Sequence, residues 1–329
     1  MGRTSDTLVV LPTCRGYFIP MQSIQVDWCI VHDRQEWPVE VEDDDNVPHI
    51  VAPSGLGTGR SAARPIQNAR RAGIITNIVV PRPEIYGAKT SAIRQAGLDY
   101  GYREGYQYVL TVDDDCSLPL DWAEDHVKAL GGVVPIGVNT VPGQVIRGFP
   151  RDYTLPVGIS HGLWSGVLDY PAWYQLAANP GRVEIENKGW KPIKSPFPMC
   201  GMNVGFRREV LPAVFFQHTF RRHDDIFAGW IAQRILDLHG YGYVNGGAVV
   251  LHERASDAKA NLEKEAPGDA VNTALLSHIR NFQIAKLDMA ETFGRLAAHV
   301  GRLRVGHSES DRLIQQYAAS MQTWQRRTM

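Results

Sequence analysis

One stretch sets the terms for any fold this chain adopts: Tyr108–Pro119, read YVLTVDDDCSLP. An apolar run, Tyr108–Val112, ends abruptly in three carboxylates, Asp113, Asp114 and Asp115. The run is short, β-branched and bounded by polar residues, so it reads as a buried strand. Strands of this kind lie in open α/β sheets, whose ligands bind beyond the carboxyl ends. Adjacent carboxylates repel one another, and a hard divalent cation relieves that repulsion. Mg²⁺-like ions use one or two carboxylates together with substrate phosphates. The stretch therefore predicts a metal–diphosphate site at the tip of a central strand, against the plainer reading of an acidic surface turn. Asp43–Asp45 serves as an internal control: no strand precedes it, and it reads as solvated loop.

A chain of 329 residues holds one large α/β domain or two smaller ones. We place a catalytic domain over 1–270 and a helical extension over 271–329 packed on it. A formal net charge of −1 leaves no global positive field to gather nucleic acid. Four cysteines, Cys14, Cys29, Cys116 and Cys200, are scattered without a CxxC pair. That spacing argues against a zinc site and a disulfide framework, and it fits a reducing compartment. No apolar stretch approaches the roughly 20 residues of a membrane span. The N-terminus lacks a signal-peptide core. A cytoplasmic location is the expectation.

Thr7–Leu11 predicts a first strand stopped by Pro12, with Thr13 and Arg15 placed where a nucleotide base or ribose sits in a doubly wound sheet. Asp27–Val31 predicts a second strand. Asp33 follows it, as a ribose ligand or a turn cap. Ser54–Arg60 resembles a phosphate loop only loosely and lacks its terminal Gly-Lys-Ser/Thr. Gly87–Tyr102 predicts a helix with Ala92, Ile93, Ala96 and Tyr100 on its apolar face. Lys89 and Arg94 in its first turns are candidate diphosphate contacts, or else solvated cations. Arg221–Trp230 places Asp224 and Asp225 at a helix start, where one of them caps the helix. Tyr243–His252 reads as one last strand, and Ser256–Gly268 as a charged loop. Beyond residue 271 the pattern is helical. Leu313, Ile314, Tyr317, Met321 and Trp324 continue the last helix at helical spacing, an apolar face that could join a partner, including a second copy.

A metal on Asp113 and Asp115 would bridge the phosphates of a nucleoside diphosphate-sugar and offset charge on the departing diphosphate. His252, at a strand end, is the candidate third ligand, or else a satisfied buried imidazole. Mn²⁺ accepts such a mixed oxygen and imidazole set; Mg²⁺ is the other candidate. Asp224 or Asp225 supplies an acceptor-side carboxylate, orienting a nucleophile or stabilising positive charge on the sugar.

Several segments taken together are more specific than any alone. DDDC, RGFP with VGISHGLW, FPMCGMN, HDDIFAGW, and LHERAS with NLEKE resemble, in order and spacing, the reversibly glycosylated polypeptide family. Plant members of that family are UDP-arabinopyranose mutases. The resemblance implies a GT-A glycosyltransferase fold: a doubly wound mixed sheet flanked by helices, with a C-terminal helical extension. It implies a UDP-sugar, a divalent metal, usually Mn²⁺, and Asp113–Asp115 as the metal motif. His161, Trp164, Cys200, Gly201 and Asn203 fall in the matched motifs and are taken as nucleotide-sugar contacts, with Asp113 and Asp114. It also implies transient glycosylation of an arginine in the RG(Y/F)P segment, which here is two residues shorter than the plant pattern. Arg147 matches the segment's first arginine, and Arg151 stands near the glycosylated one. Two activities fit: a mutase that interconverts pyranose and furanose forms, and a transferase that delivers the sugar to a separate acceptor.

Overall fold

The computed structural model describes residues 4–13, 17–32, 39–42, 48–51, 72–79, 90–135, 154–193, 196–253, 256–285 and 287–328. Arg15, Asp33, Asp43–Asp45, Ser54–Arg60, Lys89, Arg147 and Arg151 lie outside the described residues.

The apolar run ahead of the three aspartates is the strand Tyr108–Val112, with Val109, Leu110, Thr111 and Val112 fully buried. It lies inside a large mixed sheet. The order is Lys191–Ile193, Gly242–Asn245, Thr154–His161, Asn203–Arg207, Tyr108–Val112, Thr7–Thr13, Val26–His32 and Ala72–Val79. The four strands from Tyr108–Val112 to Ala72–Val79 are parallel, and Asn203–Arg207 runs against its two neighbours. From Thr7–Thr13 the chain winds outward through Val26–His32 and Ala72–Val79, then returns to lay Tyr108–Val112 on the other side. The order of winding reverses between Thr7–Thr13 and Tyr108–Val112, and such a reversal opens a crevice at the carboxyl ends of the two strands. This is the doubly wound mixed sheet, flanked by helices, that the family resemblance implies.

The first strand does not stop at Pro12 but runs to Thr13. Its pairing with the central strand ends at Val10↔Thr111, so the N–H that Pro12 lacks falls beyond that ladder. The helix Thr90–Glu104 lies tightly on the sheet. A Cβ on Gly97 would come within 2.2 Å of Val10, and one on Gly101 within 2.8 Å of Val109. Glycine at these positions lets the helix settle closely enough to aim Ser91 and Arg94 over the strand ends.

Two expectations are corrected. Tyr243–His252 is two strands, Gly242–Asn245 in the large sheet and Val250–His252 in a small one. Gly246 at φ 125° and Ala248 at φ 48° turn the chain between them, and Gly247 lies so close to Trp190 that a Cβ would meet its ring at 2.4 Å. Ser256–Gly268 is mostly helix, Ala258–Asp269, started by the Asp257 carboxylate accepting from Ala260 N at 3.1 Å.

The C-terminal helices Asn272–Arg280, Met289–Val300 and Ser308–Thr328 pack on the domain. The last one starts at Ser308, three residues ahead of Asp311, a helix-start pattern. Its face of Ile314, Tyr317, Met321 and Trp324, read as available to a partner, is buried in the chain's own core. Trp324 stacks on Phe215 at 4.9 Å, and its Nε1 donates to Asp99 Oδ2 at 3.1 Å. Asp99 belongs to the same helix as Arg94, so the tail braces an element that builds the cleft. Trp324→Ala removes a fully buried indole and leaves Asp99 short of a donor. Urea denaturation is expected to register a loss of about 3–5 kcal/mol; a loss under about 1 kcal/mol contradicts this bracing role.

Candidate functional site

A cleft of about 1030 Å³ opens at the carboxyl end of the central strand. Its lining includes Arg94, Asp113, Asp115, Asp224, Asp225 and His252, residues that lie as much as 158 positions apart (252 − 94).

The acidic tip is divided among three different partners. Thr13 Oγ1 donates to Asp114 Oδ2 at 2.7 Å across the crevice. Arg94 Nη2 donates to Asp113 Oδ1. Asp115 Oδ1 faces His252 Nε2 at 3.7 Å. The small sheet makes this last meeting possible. Val250–His252 pairs antiparallel with Cys116–Ser117, with His252 opposite Cys116, so the imidazole arrives beside the preceding residue, Asp115. His252 Nδ1 lies 2.6 Å from Val167 O, an acceptor only. Nδ1 therefore carries a proton, which leaves Nε2, the atom facing Asp115, as the one a metal would use, the arrangement common to imidazoles that bind metal. Among the described residues no three His, Cys, Asp or Glu side chains form a ready-made metal cage. Asp115 and His252 are a two-ligand set, which fits an ion that takes its other ligands from phosphate and water. Asp113, expected beside them, instead holds an arginine.

Arg94 is 4% exposed. Burial opposes its charge, but Asp113, Asp224 and Asp225 outweigh that and keep its pKa above the ordinary value. Its guanidinium lies 5.2 Å from the Phe216 ring centre and against Gly201, where a Cβ would approach it to 2.6 Å. Gly201 thus makes room for Arg94.

The helix Asp224–His239 places two carboxylates in its first turn. Neither is the cap: His223 holds that position, without a side-chain bond to the helix. Asp224 Oδ2 accepts from Ser91 Oγ, and Asp225 Oδ2 accepts from Gly201 N at 2.9 Å. Burial raises the pKa of Asp224. Burial, and then the charge of Asp224, pushes Asp225 up to about 7. Cys200 also lines the cleft, where burial and then the charge of Asp225 push its thiol well above the usual range and disfavour the thiolate.

Two expected sugar contacts, Asn203 and His161, are bonded to protein groups instead. Asn203 is fully buried. Its amide donates to Leu163 O and Ala248 O, and its Oδ1 accepts from Trp122 Nε1 and His126 Nε2, both at 2.9 Å. No capacity is left for a ligand. His161 Nε2 accepts from Cys200 N at 2.9 Å while Nδ1 donates to Asn245 Oδ1 at 3.0 Å, which fixes a neutral ring. Burial lowers its pKa to about 4. Trp164 packs edge-on against His161. These residues hold the Phe197–Met202 segment, and so the cleft wall, in place.

The sequence reading missed Ser91, Asp169, Arg221, Arg222 and Lys264, which also line the cleft. Arg222 bonds Asp169 at 2.6 Å and Glu265 at 3.1 Å, and Glu265 Oε2 accepts from Ala172 N at 2.8 Å. The double arginine just ahead of Asp224 was the available signal. Asp169 had none, since its partner lies 53 residues away.

A family model described as "Reversibly glycosylated polypeptide" matches residues 84–328. The chain belongs to that family. A pea (Pisum sativum) relative, "Probable UDP-arabinopyranose mutase 1", is 33% identical over 218 residues, 59% of each chain. "UDP-arabinopyranose mutase 1" of Arabidopsis thaliana is 32% identical over 218 residues, 59% of this chain and 60% of its own. The chain thus spans about three-fifths of the length of these relatives. Among solved structures, S. aureus TarS 1-349 in complex with UDP-GlcNAc is 9% identical, with a TM-score of 0.39 over 97% of this chain and 73% of that one. No helix of the described residues is long and apolar enough to cross a membrane. The family match takes in the central strand and every cleft residue named above.

The raised pKa of Asp225 has a definite sign. Between about pH 4 and pH 7 the folded protein retains a proton that the unfolded chain, near its ordinary 3.8, releases. Stability therefore falls as pH rises through this window. Asp225→Asn is expected to flatten that slope in urea denaturation run from pH 4 to 8; an unchanged slope contradicts the assignment.

Proposed function

We propose that this chain binds a UDP-sugar in the cleft and acts as a UDP-arabinopyranose mutase, with a divalent metal held by Asp115 and His252. The observation that carries the reading is the Asp115–His252 pair, 3.7 Å apart, its imidazole tautomer fixed by Val167 O, at the carboxyl end of the central strand. Family membership and the names of the relatives at 32–33% identity support the choice of substrate.

Mn²⁺ suits one carboxylate and one imidazole completed by phosphate oxygens. Bound there, such an ion would supply positive charge to offset the negative charge growing on a departing diphosphate. The remaining roles fall to the chain's own side chains. Arg94, kept charged by the carboxylates around it, adds positive potential at the same end of the strand. Asp224 and Asp225 face the cleft, where carboxylates stabilise the oxocarbenium-like centre left when the anomeric bond breaks. In the mutase an arginine then takes the glycosyl group, and Arg147 and Arg151 remain the proposed acceptors. A guanidinium must lose a proton to act as a nucleophile, so a nearby carboxylate such as Asp152 is part of the proposal.

A transferase reading has one observation in its favour. At about 1030 Å³ the cleft stands at the upper end of ordinary ligand pockets, which leaves room for a separate acceptor beside the donor.

Purified protein is incubated with UDP-arabinopyranose and Mn²⁺, without acceptor, and ring forms are separated by chromatography. Interconversion is the expected result. UDP release only when an acceptor glycan is added favours the transferase. Asp115→Asn is expected to lose at least the ~100-fold that outer-shell changes at metal sites reach, with its circular dichroism unchanged. Full turnover by that variant contradicts the site.

A further inference from the structure

We infer that Arg221 and Lys264 form a cationic wall of the cleft that takes the diphosphate of a nucleotide ligand. This inference rests on the UDP-sugar reading of the same cleft.

The charges of the cleft are distributed unevenly. Arg94 is committed to Asp113, and Arg222 to Asp169 and Glu265. Arg221 and Lys264 line the same cleft and are exposed. Among the described residues neither has a carboxylate within ion-pair distance. These two cations have the positive charge that the carboxylates have not already absorbed.

Their placement follows from their neighbours in sequence. Arg222 and Glu265 are joined at 3.1 Å, and Glu265 is 6% exposed. That bond ties the turn His218–His223 to the helix Ala258–Asp269. The residues immediately before each partner, Arg221 and Lys264, thereby reach one cleft from two elements. Two cations brought to the same cleft, neither with a carboxylate at ion-pair distance among the described residues, are open to an anion bound between them. A diphosphate supplies such an anion, and the Asp115–His252 pair stands in the same cleft to serve its metal.

The backbone gives a second, independent sign. Arg221 has φ 54° and ψ −105°, a conformation that side-chain-bearing residues rarely adopt. Phe220, fully buried, and Arg222, clamped by two carboxylates, hold it there from either side. Strain kept at a non-glycine residue concentrates at ligand clamps, where the side chain repays it. A glycine would meet the backbone demand alone, but it would bring no charge to the cleft.

The test is calorimetry in EDTA, with UDP, uridine and inorganic pyrophosphate as probes, on the native chain, Arg221→Ala, Lys264→Ala and Arg221→Gly. Each variant is expected to bind UDP and pyrophosphate about tenfold more weakly, with uridine unchanged. Arg221→Gly is expected to melt at a higher temperature while losing the same affinity, an outcome that a merely structural role does not produce. UDP affinity unchanged in all three variants overturns the wall and leaves the UDP-sugar reading standing. Pyrophosphate binding that depends on Arg221 and Lys264, with no preference for UDP, upholds the wall and overturns the nucleotide reading. A native chain that binds neither anion in EDTA overturns the wall; the same titration with UDP and Mn²⁺ then tests the UDP-sugar reading separately, and no binding there overturns that reading too.

Discussion

Asp113, Asp114 and Asp115 stand in a row at the end of a strand whose last four residues are fully buried, and their mutual repulsion has to be met on the spot. The fold meets it by sending each carboxylate a different partner: Arg94 to Asp113, Thr13 to Asp114 and His252 toward Asp115. Each partner depends on a separate piece of architecture. Arg94 needs a helix that can approach the sheet through Gly97 and a wall that leaves space at Gly201. Thr13 needs a first strand that outruns its proline. His252 needs the chain to leave the large sheet after Asn245 and pair with Cys116 in a small one. The cleft is what remains between these three solutions.

A rigid wall keeps the cleft open. Asn203 and His161 use all or most of their hydrogen-bonding capacity on protein groups and so fix the segment from Phe197 to Met202. Arg222 does the same on the far side, joining Asp169 and Glu265 from elements distant in sequence. Buried polar groups satisfied in this way favour one arrangement over its competitors. On the proposed reading that order matters for function, because a departing diphosphate is stabilised most by charges that do not have to move.

The sequence disclosed what is encoded locally. A β-branched run ending in carboxylates marked the central strand, and helical spacing marked the tail that ends in Trp324. The first-turn carboxylates Asp224 and Asp225 were legible because they adjoin a helical apolar pattern. Features that depend on distant partners were not legible. Asp169 acquires its place only through Arg222, and Asn203 looked like a ligand contact until Trp122 and His126 were seen to occupy it. The helix Ala258–Asp269 was masked by its charges and by Pro267 and Gly268, although Asp257 was a usable start signal. The break at Gly246 was hidden because strand-like residues stand on both sides of it.

The central claim is that the carboxyl end of Tyr108–Val112 is where a metal meets a nucleotide diphosphate. Anomalous diffraction from crystals grown with Mn²⁺ and UDP tests it most directly. The account predicts one Mn²⁺ peak within bonding distance of both Asp115 Oδ1 and His252 Nε2, with diphosphate oxygens completing its shell. A peak elsewhere in the chain, or UDP bound in the cleft with no metal between Asp115 and His252, would contradict it.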